Sequence, residues 1–358
     1  MRVVQVTHRY PPRVGGVERH VSELATRLAA RGHDVTVVAA DRDRNDPRTE
    51  TRDGVTVRRC RALAPGDAYY LAPGVPPAVR RLRREADVVH AHNYHALPLA
   101  LAATAVEGTA FVATPHYHGQ SASPVRDALL RPYRLVGRRA LARADARIAV
   151  SEWERRRLRE TFGLDATVVP NGLDTDRFAD APPEEHDRPY LLSVGRLESY
   201  KGVHHAIRAL CSPDLAEYDL LVAGDGPYRE ELEYVAETVG VADRVSFLGY
   251  VDDDRLPGLY AGADALIALS TMGAYGMTVA EALAAGTPCV VRETGALAEW
   301  GRREDCATVD EPTPPVVARA VNRLRGVDAP AAPLPDWKSV VDDVLDVYSE
   351  ATATDTTG

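Results

Sequence analysis

The sequence predicts an α/β protein built from two doubly wound halves, and three observations lead there. Apolar strand-like runs alternate with helix-periodic runs along nearly the whole chain, which is the pattern of βαβ units around a parallel sheet. The alternation stops over 170–188 (NGLDTDRFADAPPEEHDRP follows Pro170), a Pro-, Asp- and Glu-rich stretch that reads as a linker, and then starts again. The length of 358 residues also suits two domains better than one.

Residues 2–7 (RVVQVT) read as the first buried strand. Pro11-Pro12 and Gly15-Gly16 make a loop; Val17, Val21, Leu24 and Leu28 then recur at helical spacing until Gly32 stops the helix. Further strands are expected at 34–40, 87–91, 110–114 and 146–150, with helices near 75–85, 96–106 and 124–143. Ser151 caps a helix over 151–162, and Glu154 three residues on completes a capping box. After the linker, strands are expected at 190–195, 219–223, 244–248, 264–269 and 288–291, with helices near 201–211, 228–239, 255–261, 277–285 and 312–325. A second linker (326–335) precedes a helix capped by Asp336. The expected organisation is 1–172, a linker at 173–188, a second domain at 189–335, a crossover helix at 336–350 and a disordered tail at 351–358.

Composition narrows the class. Hydrophobic residues make up 45%, enough for packed cores. The four cysteines lie apart with no CxxC spacing, so they read as reduced thiols of a cytoplasmic protein. Met1-Arg2 leads directly into a strand, with no signal peptide expected, and the longest apolar run (96–114) is broken by Pro98 and Glu107-Gly108, a poor membrane span. Only two lysines, Lys201 and Lys338, stand beside 30 Asp and 22 Glu, a bias that suits a salt-loving cytoplasm. Charge is uneven: residues 1–170 carry a net +10 and residues 171–358 a net −19. The basic half suits an anionic membrane surface or a phosphorylated lipid; a basic half that simply balances an acidic one is the other reading. Arg80, Arg81, Arg83 and Arg84 form one basic stretch. Arg131, Arg134, Arg138, Arg139 and Arg143, interleaved with Leu129, Leu130, Tyr133, Leu135 and Val136, form another that suits a helix lying on a membrane, or a solvated helix face. Nucleic acid is not expected as a partner, since the chain is acidic overall and lacks a recognition motif.

Several short motifs carry chemistry. Gly195-Arg196 and Lys201-Gly202 lie between a strand and a helix; Arg196 offers a fork of donors that suits a phosphate, and Lys201 adds a point charge. Gly276, Met277 and Thr278 open the next helix of interest, whose free N–H groups suit a phosphate or sugar oxygen, and Glu281 sits one turn in. Gly15 and Gly16 ahead of a helix make an anion-binding nest, but PRVGGVERH lacks the third glycine of a dinucleotide fingerprint, so a nicotinamide reading is disfavoured. His116 follows the strand at 110–114. His90, His92, His95 and His118 could join it as a metal cluster, yet no carboxylate or thiolate partner is evident, and no metal or other cofactor is expected.

Nine motifs stand in one order: PPRVGGVERH (11–20), DVVHAH (87–92), TPHYHG (114–119), VSEWERRRL (150–158), VVPNGLDTDRF (168–178), SVGRLESYKG (193–202), VAGDGP (222–227), FLGYV (247–251) and STMGAYGMTVAEALAAGTPCVV (270–291). Together they resemble the retaining GT-B glycosyltransferases of family 4, over nearly the whole chain. The resemblance implies two Rossmann-like domains facing a cleft, with the last helix returning to the first domain. It implies transfer of a hexose from a nucleotide diphosphate sugar to a glycan or a polyprenyl- or dolichyl-linked acceptor, with retention, without a metal, at the cytoplasmic face of a membrane. Arg196 and Lys201 would hold the diphosphate, Glu281 the ribose, Gly249 and Tyr250 the base, and Asn171 would lie at the hinge; His116 would stand beside the reacting carbon. The family's first glutamate falls at 273, where this chain has Gly273; Tyr275 or Thr271 are the polar neighbours that could replace it. Two other readings share the fold: a sugar-nucleotide 2-epimerase, against which the ordered motifs argue, and a non-catalytic sugar-nucleotide-binding subunit, motivated by Gly273.

Overall fold

The structure, a computed structural model, describes residues 1–355 apart from 14, 43–45, 66–68 and 120–123; the side chains of 124–131 and 354–355 also lie outside that description. Leu129, Leu130 and Arg131 of the second basic stretch therefore lie outside the described side chains, as do residues 356–358 of the expected tail. The chain divides into two compact units, Met1–Gly172 with Trp337–Gly358, and Leu173–Asp336.

Unit 1 runs β1 (Arg2–Thr7), α1 (Gly16–Ala30), β2 (Asp34–Asp41), β3 (Thr49–Arg52), β4 (Val55–Arg61), α2 (Val75–Leu82), β5 (Val88–His92), α3 (Leu97–Ala103), β6 (Ala110–Thr114), α4 (Pro124–Ala142), β7 (Ala146–Ala149), α5 (Glu152–Phe162) and β8 (Thr167–Val168). The eight strands lie in the order β3-β4-β2-β1-β5-β6-β7-β8, parallel except for β3. The central strands β5 and β6 are buried at every position, as a sheet covered on both faces requires. Alternation sends Val4, Val6 and Val89 to a core closed by Val79, Leu99, Leu141 and Leu158, and sends Val3, Val37 and Val88 to the opposite core. The β3–β4 hairpin escapes the sequence reading. Its turn is Asp53-Gly54, both left-handed (φ 51° and 78°), the geometry a two-residue hairpin needs.

Unit 2 runs α6 (Thr175–Ala179), β9 (Tyr190–Val194), α7 (Val203–Ala209), β10 (Asp219–Ala223), α8 (Arg229–Thr238), β11 (Val245–Gly249), α9 (Leu256–Ala261), β12 (Ala265–Ala268), α10 (Met277–Ala284), β13 (Cys289–Arg292), α11 (Leu297–Trp300), β14 (Cys306–Val309) and α12 (Pro314–Arg323). Its six strands are parallel, ordered β11-β10-β9-β12-β13-β14. The stretch read as a linker holds α6, because Phe178 is buried and meets the Tyr260 ring edge-on at 6.0 Å. No described helix is long and apolar enough to cross a membrane, and all four cysteines are free thiols.

The last helix, α13 (Trp337–Asp355), belongs to unit 1, where Val340, Val341, Val344, Val347 and Tyr348 complete the core beside Val21, Leu24 and Leu28 of α1. It also corrects the expected tail. Ala351 is buried at 2% and carries the helix beyond position 350, so residues 351–355 are helical.

Candidate functional site

In unit 2 the strand order reverses direction between β9 and β12, and ligands of open α/β sheets bind outside the strand carboxyl ends at such a point. A cavity of about 170 Å³ opens there, lined among others by Gly195, Arg196, Lys201, Gly273, Gly276 and Thr278. Its floor depends on glycine. Gly195 (φ 136°) follows β9, and Gly224 approaches so closely that a Cβ on it would stand 2.0 Å from the Gly195 carbonyl oxygen. Gly202 (φ 74°) ends the turn that carries Lys201, and a Cβ there would stand 2.5 Å from the Leu269 oxygen. The chain can therefore fold Lys201 back over Gly195 only with these residues.

Lys201 and Arg196 occupy different environments. Among the described residues no carboxylate lies within ion-pair distance of the Lys201 Nζ, which stands 5.7 Å from the Tyr200 ring centre. Burial pushes its pKa down from the usual lysine value, and the more distant Glu198 pulls it back. Arg196 is 69% exposed and pairs with Glu198 at 3.1 Å. An exposed pair of that kind is worth ~0–1 kcal/mol, so a phosphate can take the guanidinium from Glu198 at little cost.

Gly276 (φ 107°) starts α10, and the N–H groups of Met277 and Thr278 point from the first turn, where no intrahelical acceptor is available; both residues line the cavity. Glu281 is buried, and its Oε2 accepts a hydrogen bond from the Tyr260 hydroxyl at 2.8 Å; it is not among the cavity-lining residues. At Gly273 (φ 154°) a Cβ would meet nothing within 4 Å, so open space stands where the family's glutamate would project. Tyr275 lines the cavity, whereas the Thr271 hydroxyl turns to the Tyr200 carbonyl at 3.4 Å. Gly249 (φ 68°) accepts at its carbonyl from the Gly224 N–H at 2.7 Å, and Tyr250 is 66% exposed; neither lines the cavity.

In unit 1 the corresponding reversal lies between β1 and β5, and polar side chains gather at that carboxyl edge. Gly15 is the N-cap of α1 and Gly16 its first residue, but the expected nest already holds a carboxylate. Glu18 folds back so that a Cβ on Gly15 would stand 2.3 Å from its Oε2. Burial pushes the Glu18 pKa up, but His8 at 3.3 Å and Arg9 at 2.5 Å bring it down to about 2, so it is an anion at neutral pH. The nest is thus filled from within the chain. Asn171 belongs to this unit, buried, with an Oδ1 that has no partner.

His116 lies two residues beyond β6 in a left-handed backbone conformation (φ 48°), uncommon for a residue with a side chain. The next N–H, of Tyr117, donates to the buried Glu154 carboxylate, whose other oxygen accepts from Val150 N at 2.7 Å. Ser151 Oγ caps α5 by accepting the Glu154 N–H at 3.1 Å, the N-cap half of the box read from sequence; the reach of the Glu154 carboxyl to Tyr117 was not readable there. Burial pushes the Glu154 pKa up to about 8 against those two donors.

The histidines group differently from the sequence expectation. His95 and His118 stack on each other at 3.8 Å, and His90 is fully bonded to Tyr348 Oη and Thr114 Oγ1, both at 2.7 Å. His92 and His116 are joined instead by His20, on the second turn of α1. His20 escaped the sequence reading, although it ends the quoted PPRVGGVERH motif four residues after Gly16.

The fold and the phosphate-sized cavity at a parallel-sheet switch point define an enzyme of the GT-B glycosyltransferase class. Residues 14–177 match the family described as Glycosyltransferase Family 4, and residues 174–324 match Glycosyl transferases group 1. The chain belongs to the family 4 glycosyltransferases, and its activity is sugar transfer from a nucleotide-sugar donor. It is 33% identical to a Mycobacterium tuberculosis glycogen synthase over 331 residues, covering 84% of this chain and 80% of that protein. A GDP-mannose-dependent alpha-(1-6)-phosphatidylinositol monomannoside mannosyltransferase of the same organism is 31% identical, covering 92% of each chain. Sucrose-phosphate synthase from Thermosynechococcus elongatus superposes with a TM-score of 0.78 at 20% identity, covering 99% of this chain and all of that one, a likeness of fold.

Proposed function

We propose that this enzyme moves a hexose from a nucleoside diphosphate sugar to a glycan or lipid-phosphate-linked acceptor, with retention of configuration and without a metal in the transfer step. The observation that carries the reading is Lys201, a cation with no carboxylate in ion-pair distance, beside the free N–H groups of α10 in one cavity. Such a site meets a diphosphate with charge and fixed dipoles and stabilises it as it leaves. In the proposed step the bond from the sugar C1 to the β-phosphate oxygen breaks. The acceptor hydroxyl oxygen bonds to C1 on the same face, and its proton passes to the departing phosphate. His116, kept neutral by burial, orients the reacting oxygens. Glu281, held by the Tyr260 hydroxyl, serves the ribose.

The acceptor assignment draws support from α4, where Arg134, Arg138 and Arg139 are exposed beside Leu135 (56%) and Val136 (50%), with Arg143 exposed just beyond its end. Basic and apolar side chains on one exposed stretch suit peripheral contact with an anionic bilayer, as does the mannosyl-lipid chemistry in the name of the mycobacterial relative. Purified protein incubated with nucleoside diphosphate hexoses and a polyprenyl-phosphate-linked saccharide tests the reading, with the product anomer assigned by NMR. Acceptor-dependent nucleotide release, an unchanged anomeric configuration and insensitivity to EDTA are expected. An inverted product overturns retention, and full loss of rate in EDTA overturns metal independence. Gly273 favours a second reading, a subunit that binds the donor without turning it over; tight donor binding with no release in the presence of any acceptor would establish that reading instead.

A further inference from the structure

At the carboxyl edge of the unit 1 sheet, three histidines from three elements converge. His20 comes from α1, His92 is the last residue of β5, and His116 sits in the turn after β6. Their ring centres are 5.1 Å (His20–His116), 5.8 Å (His20–His92) and 5.9 Å (His92–His116) apart. One ring nitrogen from each lies within 4.8 Å of the other two. His92 and His116 are buried and His20 nearly so, and among the described residues four of their ring nitrogens have no hydrogen-bond partner: Nδ1 of His20, both nitrogens of His92 and Nε2 of His116. A buried polar atom left unpaired costs about 1–3 kcal/mol. Four such atoms on three neighbouring rings, with one nitrogen of each ring within 4.8 Å of the other two, suit an occupant.

The chemistry of the occupant follows from the donors. Proton sharing among the rings is a poor solution, because burial holds all three below the usual histidine range, helped at His92 and His116 by neighbouring histidines. They are neutral imidazoles with lone pairs available at neutral pH, the form in which histidine binds metals. An all-nitrogen set excludes magnesium and calcium, which take oxygen ligands, and suits a divalent ion of the zinc class. Zinc–nitrogen bonds of about 2.0–2.1 Å at tetrahedral angles put ligand nitrogens about 3.4 Å apart. The present spacing is then closed by ring rotations of about 1.4 Å or less. Three protein ligands leave a fourth position for water. His90 does not compete, since both its nitrogens are bonded, and His95 and His118 face each other.

We propose that His20, His92 and His116 form a site for one zinc-class divalent cation, and that its occupation inhibits sugar transfer. The site itself rests only on the three rings. The inhibition rests on the role given above to His116, because a metal on its ring nitrogen removes the side chain from the substrate.

Chelator-treated full-length protein titrated with Co²⁺ tests the site, read by the visible bands of four-coordinate cobalt, with Zn²⁺ displacement followed by calorimetry. One equivalent per chain is expected. Affinity should fall about tenfold or more in His20→Ala and in His92→Asn, and should be unchanged in His186→Ala, a histidine of unit 2. Far-UV circular dichroism and melting curves confirm that each variant is folded; His20 on a helix is the variant less exposed to misfolding. Absence of cobalt bands in the wild type, or equal affinity in folded His20→Ala, overturns the site. Zinc added to the transferase reaction should suppress it, and EDTA should restore it. Stoichiometric binding with full transfer retained supports the site and overturns the part given to His116 in transfer.

Discussion

The Glu154 carboxylate holds the backbone N–H of Tyr117, and so fixes the left-handed residue before it, His116. A helix-capping glutamate on α5 thereby sets the position of a side chain 38 residues earlier in the chain. Glu154→Ala, which removes the acceptor of the Tyr117 N–H, should lower kcat by about 10- to 100-fold with a much smaller change in KM, because it frees His116 without touching the unit 2 cavity. Steady-state kinetics checks this; equal losses in kcat of Glu154→Ala and of a remote destabilised variant would sink it.

The same residue sets a pH dependence. Its pKa is raised from 4.5 to about 8 by burial, so the folded state holds the proton more tightly than the unfolded chain does. The stability this contributes is complete below about pH 4.5 and is lost as pH rises through about 8. Melting temperature should decline across that window in the wild type, and more weakly in Glu154→Gln. Parallel Tm–pH curves for the two proteins would contradict the assignment.

Lys201 places function and stability in opposition. It is a cation held in a partly desolvated cavity with no carboxylate in pairing distance. Lys201→Met should abolish donor binding while raising stability by about 1 kcal/mol, since an ion poorly compensated in the folded state is replaced by an apolar side chain. Calorimetric titration with nucleoside diphosphate sugars and thermal melting give the two readings; near-normal donor affinity would refute the phosphate role.

Glycine positions around the cavity should not tolerate alanine equally. Gly202→Ala combines a left-handed backbone with a Cβ 2.5 Å from the Leu269 oxygen. It should cost about 2–3 kcal/mol and weaken donor binding by moving Lys201. Gly32→Ala, also left-handed but with nothing within 4 Å, should cost about 1 kcal/mol and leave donor binding alone. Urea unfolding of both variants decides between packing and backbone strain.

The two-unit α/β plan could be read directly because hydrophobic periodicity records burial, and the central strands of both sheets are parallel, buried, apolar runs. What was missed lies where periodicity is weak. The strand β3 is polar throughout, β4 carries Thr56, Arg58, Arg59 and Arg61, β14 is four residues long, and α6 is one and a half turns pinned by Phe178. The cavity at the β9–β12 reversal gathers residues that are local in sequence, such as Gly195, Arg196 and Lys201, and such local sets can be read from spacing. The histidine cluster is not local. His20 is 72 residues from His92 and 96 from His116, and only strand order brings the three together. Glu18 filling its own nest was hidden for a different reason: whether a helix terminus faces solvent or the chain's own carboxylate depends on side-chain direction, which spacing does not record.

Because α13 supplies Val340, Val341, Val344, Val347 and Tyr348 to the core of unit 1, that unit is interrupted in sequence by the whole of unit 2. The four valines alone are worth about 6 kcal/mol or more of burial, comparable with the entire ~5–15 kcal/mol margin of a folded domain. On the ribosome, then, the first half of the chain emerges early but matures last. The inserted unit closes on its own residues while its host waits for the final helix to be translated.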